Sequence, residues 1–141
     1  MAVSFAFEIP FNLKNRRFLK KWIQEIILQH GKRPGNITYI FCDDEYLLSI
    51  NQEYLHHDYY TDIITFNYVD GDVISGDLFV SIDRIRDNAA RNGWNFEEET
   101  LRVIIHGILH LLGHDDITKE TEKEMRQAEE KALQCYHSLD K

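Results

Sequence analysis

The segment HGILHLLGHDD, residues 106–116, constrains this chain more than any other. With the preceding EEETLRVII it forms a long apolar-rich run, so a helix is expected over 96–112, capped by Asn95. His106 and His110 stand four apart. On a helix such positions differ by about 40° of rotation and about 6 Å of rise, so both imidazoles can meet one ion. Gly113 should stop the helix, because glycine tolerates the left-handed conformation just past a C-cap. The chain can then turn back and supply a third ligand. Asp116, three residues past the glycine, has more room to swing back than His114, one past it; both are candidates. Asp115 is read as an acceptor for the ring N–H of a ligand histidine. Two imidazoles and a carboxylate suit one Zn²⁺ ion with a position left open, and the same donors admit Ni²⁺, Co²⁺ or Mn²⁺. The plainer account, two histidines on a buried helix bonded to backbone or water, leaves the glycine turn and the donors behind it unexplained.

The residue between the histidines narrows the chemistry. Zinc peptidases of the HExxH type carry a general-base glutamate directly after the first histidine. Here that position is Gly107. No GxxxxGK[ST] loop, GxGxxG turn or GxSxG elbow is present, so no nucleotide cofactor and no serine nucleophile are expected.

The rest of the chain supplies a frame for this helix. SFAFEI, NITYIFC, DIITFNY and GDLFVSI read as strands. Residues 14–30 read as a helix whose apolar stripe is Phe18, Leu19, Trp22, Ile23, Ile26 and Ile27, with Gly31, Pro34 and Gly35 punctuating its end. Asp43 can cap a short helix reaching about Tyr54, and VDGD marks a turn. Helices over about 83–92, 96–112 and 118–136 follow, the last opened by Thr118 with Glu122 nearby. The expected fold class is α+β: a single compact domain over 1–141 with about a four-stranded mixed sheet covered by about five helices, the metal site on the penultimate one.

Charge and cysteine content limit partners and compartment. The net charge of −8 argues against general nucleic-acid binding, since phosphate contacts need cations. Seven of the 16 Lys and Arg residues nevertheless fall within positions 14–33, where a local basic face or a solvated helix side can explain them. No window approaches a membrane span and the start lacks the pattern of a secretory signal. Cys42 and Cys135 belong to no CxxC pair and read as free thiols, so a cytoplasmic protein is expected.

At this point the sequence resembles the YbeY-type endoribonucleases, also called ribosomal RNA maturation factors. Their signature is similar to HGxLHLxGxDH, matched here by His106, Gly107, Leu109, His110, Leu111, Gly113 and Asp115. NQEYLHHDYYTDIITF, residues 51–66, resembles the family's Asn-x-x-Tyr-Arg stretch and the Thr-Asp-[VI]-[LI]-[ST]-Phe strand behind it. Gly76-Asp77-Leu78 resembles its Gly-Asp-[IL] strand. Two positions depart. The last family histidine falls on Asp116, whose charge should make a bound metal a weaker Lewis acid. The arginine after Tyr54 is replaced by Leu55, and His56, His57 or an arginine elsewhere would have to stand in.

The resemblance implies a zinc site in a cleft and single-strand RNA cleavage in 16S rRNA 3′-end maturation and ribosome quality control. Ribosomal RNA and the small ribosomal subunit would be the partners. On that expectation His106, His110 and Asp116 hold the metal, and water activated there is the main attacking group. Asp62, at the head of a strand beside Thr61, and His57 are the candidate catalytic side chains. The competing expectations are a non-catalytic zinc-binding ribosome assembly factor and a small metallopeptidase. Tyr59, Tyr60, Phe66 and Tyr68 read as core or cleft wall, with one or two available to stack on bases.

Overall fold

The β-branched and aromatic runs pair into one sheet in the computed structural model, which describes residues 2–56 and 60–139. Its strands are β1 (Val3–Phe7), β2 (Arg33–Cys42), β3 (Ile63–Asn67) and β4 (Val73–Ser81), in the order β1-β2-β4-β3. β1–β2 and β2–β4 are parallel; β3–β4 is antiparallel. The helices are α1 (Arg16–Gln29), α2 (Asp44–Leu55), α3 (Ile82–Asn92), α4 (Phe96–Leu111) and α5 (Lys119–Ser138). This is the α+β layout expected, with the histidine pair on the penultimate helix.

Strand alternation separates two layers of packing. Ile37, Tyr39, Phe41, Leu78 and Val80 point to one face and meet α1, α4 and α5 in the main core. Ile64, Phe66 and Phe79 point to the other, where Leu47 of α2 covers them. Two buried hydrogen bonds tie the main layer together. Tyr39 donates its hydroxyl to the Ile104 carbonyl of α4 at 2.6 Å, and Trp22 of α1 donates Nε1–H to the Ala132 carbonyl of α5 at 2.8 Å. α4 is therefore fixed on the sheet just before His106, and α5 is fixed beside α1. The basic residues of α1 lie opposite its buried stripe of Leu19, Trp22, Ile23, Ile26 and Ile27; the Arg16 guanidinium sits 4.6 Å from the Phe7 ring centre.

The caps follow the sequence closely. Asp43 accepts from Tyr46 N–H and Asn95 from Glu98 N–H. At α5 the reciprocal box pairs Thr118 with Thr121, not with the nearby Glu122. β2 begins three residues earlier than read, at Arg33, because Pro34 and Gly35 lie in the strand at a shift of register instead of closing the helix. A side chain on Gly35 would collide with Ser75 Oγ, so the close strand approach requires glycine.

Gly107 has a similar cause. A Cβ there would run into the Leu78 side chain and lie 2.8 Å from Ile63 Cδ1. The helix carrying the histidines rests directly on β3 and β4 at this point, and any side chain here would have to displace the tips of Leu78 and Ile63. Gly107→Ala should lose up to about 2 kcal/mol in denaturant unfolding, overpacking of about 1–3 kcal/mol set against roughly 1 kcal/mol gained in helix propensity. A variant more stable than the parent would show that Leu78 and Ile63 can yield.

Candidate metal centre

α4 ends in the turn the glycine suggests. Gly113 adopts φ +103°, its N–H bonds the His110 carbonyl at 3.0 Å, and His114 N–H bonds the Leu109 carbonyl at 3.0 Å. These are the two hydrogen bonds of a Schellman motif. The chain reverses and brings Asp116 back over the helix. His106 Nε2 and His110 Nε2 lie 3.0 Å apart. The Asp116 carboxylate is 3.6 Å from the first through Oδ2 and 3.8 Å from the second through Oδ1. One donor atom from each of the three residues lies within 4.8 Å of the others.

The donor set fits a cation. His106 Nδ1 is 2.7 Å from Glu129 Oε2, so this nitrogen carries the proton donated to the carboxylate and Nε2 turns its lone pair towards His110 and Asp116. Burial pushes His106 down, but the Glu129 hydrogen bond and charge, with Asp62 and Asp116, outweigh it and hold the imidazole above its ordinary value. Burial and then the charge of His106 lower His110. Two imidazoles and a carboxylate facing one point would leave a fourth position open on a tetrahedral ion.

The other candidates fall as follows. His114 turns away and packs edge-on against the His30 ring, 5.6 Å between centres, outside the donor group. Asp115 is exposed and accepts from Ile117 N–H at 3.3 Å, with Thr121 as a second partner. The support expected from Asp115 is thus replaced: Glu129 holds His106. Asp62 lines the cavity with His106 and Asp116, beside Thr61, Thr65 and Asn67. Burial raises its carboxyl, His106 pulling the other way. His57 and Tyr59 lie outside the described residues. His56 is exposed at the left-handed end of α2, next to the exposed Leu55.

Sequence reading missed Glu129, Arg102 and Glu99. Glu129 Oε1 accepts from Arg102 Nη1 at 3.3 Å, so one buried carboxylate joins Arg102 to His106. The signal was present: Met125, Glu129, Ala132, Leu133 and Tyr136 form the buried stripe of α5, and an acid on such a stripe needs a partner. Arg102 also donates to Glu130 at 2.8 Å and lies 5.1 Å from the Trp94 ring centre. Arg126 lines an adjoining cavity that shares Asp62, His106 and Asp116 with the first and, among the described residues, meets no carboxylate at ion-pair distance.

Glu99 sets a pH dependence. It is buried, its Oε1 has no hydrogen-bond partner among the described residues and lies 3.6 Å from Arg102 Nε. Burial pushes its carboxyl up to about 7; Arg102 opposes this, and Asp62 and Glu129 add to it. Because the folded value is raised, the stabilising contribution is full below the unfolded carboxyl value of about 4.3 and is lost as pH rises to about 7. Glu99→Gln should therefore exceed the parent by about 1–3 kcal/mol in urea unfolding at pH 8, with the gain vanishing near pH 4. A Gln variant weaker at pH 8 would mean that the ion pair with Arg102 is net stabilising.

Fold and site together define a class: an α+β domain whose sheet-packed helix offers a His-x₃-His pair and a returning carboxylate to one cation. Comparison with known proteins narrows this. Residues 8–137 match the family described as Endoribonuclease YbeY. An Endoribonuclease YbeY of Porphyromonas gingivalis is 55% identical over 118 residues, covering 84% of this chain and 78% of the relative. One of Flavobacterium psychrophilum is 46% identical over 135 residues, 96% of each. The solution structure of TM1509 from Thermotoga maritima superposes with a TM-score of 0.66 at 26% identity, covering 98% of this chain and 93% of that one. The chain belongs to the YbeY family.

Proposed function

We propose that this chain, acting as one domain over 1–141, is a metal-dependent endoribonuclease that cuts single-stranded RNA. Zinc is the metal, the substrate is ribosomal RNA in 16S 3′-end maturation on the small subunit, and the compartment is the cytoplasm. The observation that carries this reading is the convergence of His106 Nε2, His110 Nε2 and Asp116 on one point, in a chain whose curated relatives are named endoribonucleases. No helix of the described residues is long and apolar enough to cross a membrane.

Each residue has a part. A zinc ion held by His106, His110 and Asp116 would supply a Lewis acid for a phosphoryl oxygen and acidify water. Glu129 keeps His106 in the tautomer that leaves Nε2 free. Asp62, on the cavity wall with a carboxyl biased towards protonation, takes up the proton released on attack. Arg126, on the wall of the adjoining cavity and unpaired with any carboxylate among the described residues, can meet a phosphate in a chain that carries Leu55 in place of the family's arginine. Peptide hydrolysis by an HExxH-type base is disfavoured, since position 107 is glycine and carries no glutamate.

Zinc-loaded protein incubated with a single-stranded RNA and with an unstructured peptide tests the reading. RNA cleavage should stop with chelator and return with zinc, and the peptide should stay intact. Leu55 favours one rival, a binding factor that does not cut: intact RNA in every condition, with ribosomal subunits still bound, would establish it. Chelator-sensitive peptide cleavage with intact RNA would establish a peptidase.

A further inference from the structure

The strand beside the metal centre is a sheet edge whose outer hydrogen-bonding row meets no further strand among the described residues. β3 is the last strand in the order β1-β2-β4-β3. Its register with β4 pairs Ile64 with Phe79 and Phe66 with Asp77. The flanking bonds, Ser81 N–H to the Asp62 carbonyl at 2.9 Å and Tyr68 N–H to the Ser75 carbonyl at 3.0 Å, share that register. In an antiparallel pair hydrogen-bonded and non-hydrogen-bonded positions alternate. Residues 62, 64, 66 and 68 therefore spend their backbone groups on β4, and Ile63, Thr65 and Asn67 aim theirs outward. Among the described residues no backbone group meets that outward row. The same residues face the metal: Ile63, Thr65 and Asn67 line one cavity with His106, His110 and Asp116.

We propose that this edge is the track on which a single RNA strand lies across the metal centre, and that it reads the ribose 2′-hydroxyl. The inference rests on RNA being the substrate. The chemistry of the row separates RNA from DNA. It offers an N–H donor and a C=O acceptor together at Thr65 and at Asn67, about 6.7 Å apart, and a C=O at Ile63, whose N–H is turned to the Asp62 carboxylate. A DNA sugar–phosphate chain has acceptors only, so it can meet the N–H groups but leaves the carbonyls without a donor. An RNA chain supplies the missing donor, because its 2′-hydroxyl both donates and accepts. Phosphate oxygens take the edge N–H groups and 2′-hydroxyls give to the edge carbonyls, one nucleotide to about two residues. The track needs an unpaired strand, since both sugar and phosphate must lie against a flat edge. The half-exposed Tyr68, at the end of β3, stands where a base of that strand can stack.

A proline at position 65 tests the edge directly. It removes one outward N–H and leaves the β4 ladder intact, as proline is tolerated on an edge strand when its nitrogen faces solvent. Binding is read by fluorescence anisotropy on zinc-loaded protein at fixed salt. The probes are a short single-stranded RNA, the same sequence with 2′-deoxyribose throughout, and an extended peptide. Zinc content and thermal unfolding report on the fold, and Thr65→Val, which keeps the backbone N–H, is the second variant. The parent should bind RNA about tenfold or more tighter than DNA, Thr65→Pro should lose about tenfold on RNA, and Thr65→Val should keep the parent's preference for RNA over DNA. Equal binding of RNA and DNA by the parent, or parental RNA affinity in a folded Thr65→Pro, would overturn the proposal. So would an extended peptide that displaces the RNA more tightly than RNA binds itself, because the edge would then be a peptide track. Since binding is read apart from cleavage, a parent that binds with this preference yet never cuts would refute the endoribonuclease reading and leave the edge assignment standing.

Discussion

His110→Ala should leave a folded protein that neither retains zinc nor cuts RNA. The imidazole is one of three converging donors, its Nε2 3.0 Å from His106 Nε2, and among the described residues no fourth joins the group. Even loss of a partner outside the ligand set typically costs 10–100-fold in metal affinity or activity. Loss of a ligand should therefore exceed about 100-fold in both, read as zinc per chain after dialysis and as the initial rate on single-stranded RNA. The fold should survive, because His110 is only partly buried and the core around Ile105, Ile108 and Leu109 is untouched. Acid should act on the parent in the same direction. A proton on His106 Nε2 takes the lone pair that a metal needs, so zinc retention should fall as pH is lowered. A His110→Ala protein that holds one zinc per chain and cuts at the parental rate would place the metal, and the reaction, elsewhere.

The second large effect belongs to a residue 23 positions from the histidine it serves. Glu129→Gln should weaken zinc binding by about 10–100-fold, measured by competition with a chromophoric chelator. The amide keeps the shape of the carboxylate and removes the charge that holds the His106 proton on Nδ1 and that pairs with Arg102. Breaking such a buried pair from one side costs about 3–5 kcal/mol in general. Arg102 keeps Glu130 and lies near Glu99, so the loss in unfolding free energy should fall at or below the lower end of that range. Parental zinc affinity in a folded Glu129→Gln would mean that α5 only covers the site.

These two residues show what sequence carries and what it does not. His106, His110 and the stop at Gly113 are local: one helical period and one left-handed glycine place the pair and turn the chain, so they were readable along a dozen residues. The preference for Asp116 over His114 came from the same short-range geometry. Glu129 and Arg102 depend on how α5 lies across α4, which the Trp22 bond to Ala132 and the packing of the α5 stripe determine. No spacing in the chain encodes that crossing. Asp115 was misread for the same reason: an acid next to a ligand in sequence is a ready candidate until a distant acid is known to be nearer in space. The early start of β2 escaped because Pro34 and Gly35 look like punctuation, yet Gly35 is needed for close approach to Ser75. Gly107 reads from sequence as a missing base. In the fold it is the point where the metal helix touches the sheet.

Crystals of the zinc-loaded protein, with diffraction recorded on either side of the zinc absorption edge, test the central claim most directly. The anomalous difference map should show one ion within about 2.0–2.2 Å of His106 Nε2, His110 Nε2 and one Asp116 oxygen. Glu129 should remain hydrogen-bonded to His106 Nδ1, and one coordination position should be free of protein. An ion bound by His114 in place of Asp116, or no peak on the His106–His110 pair at full zinc loading, would contradict it.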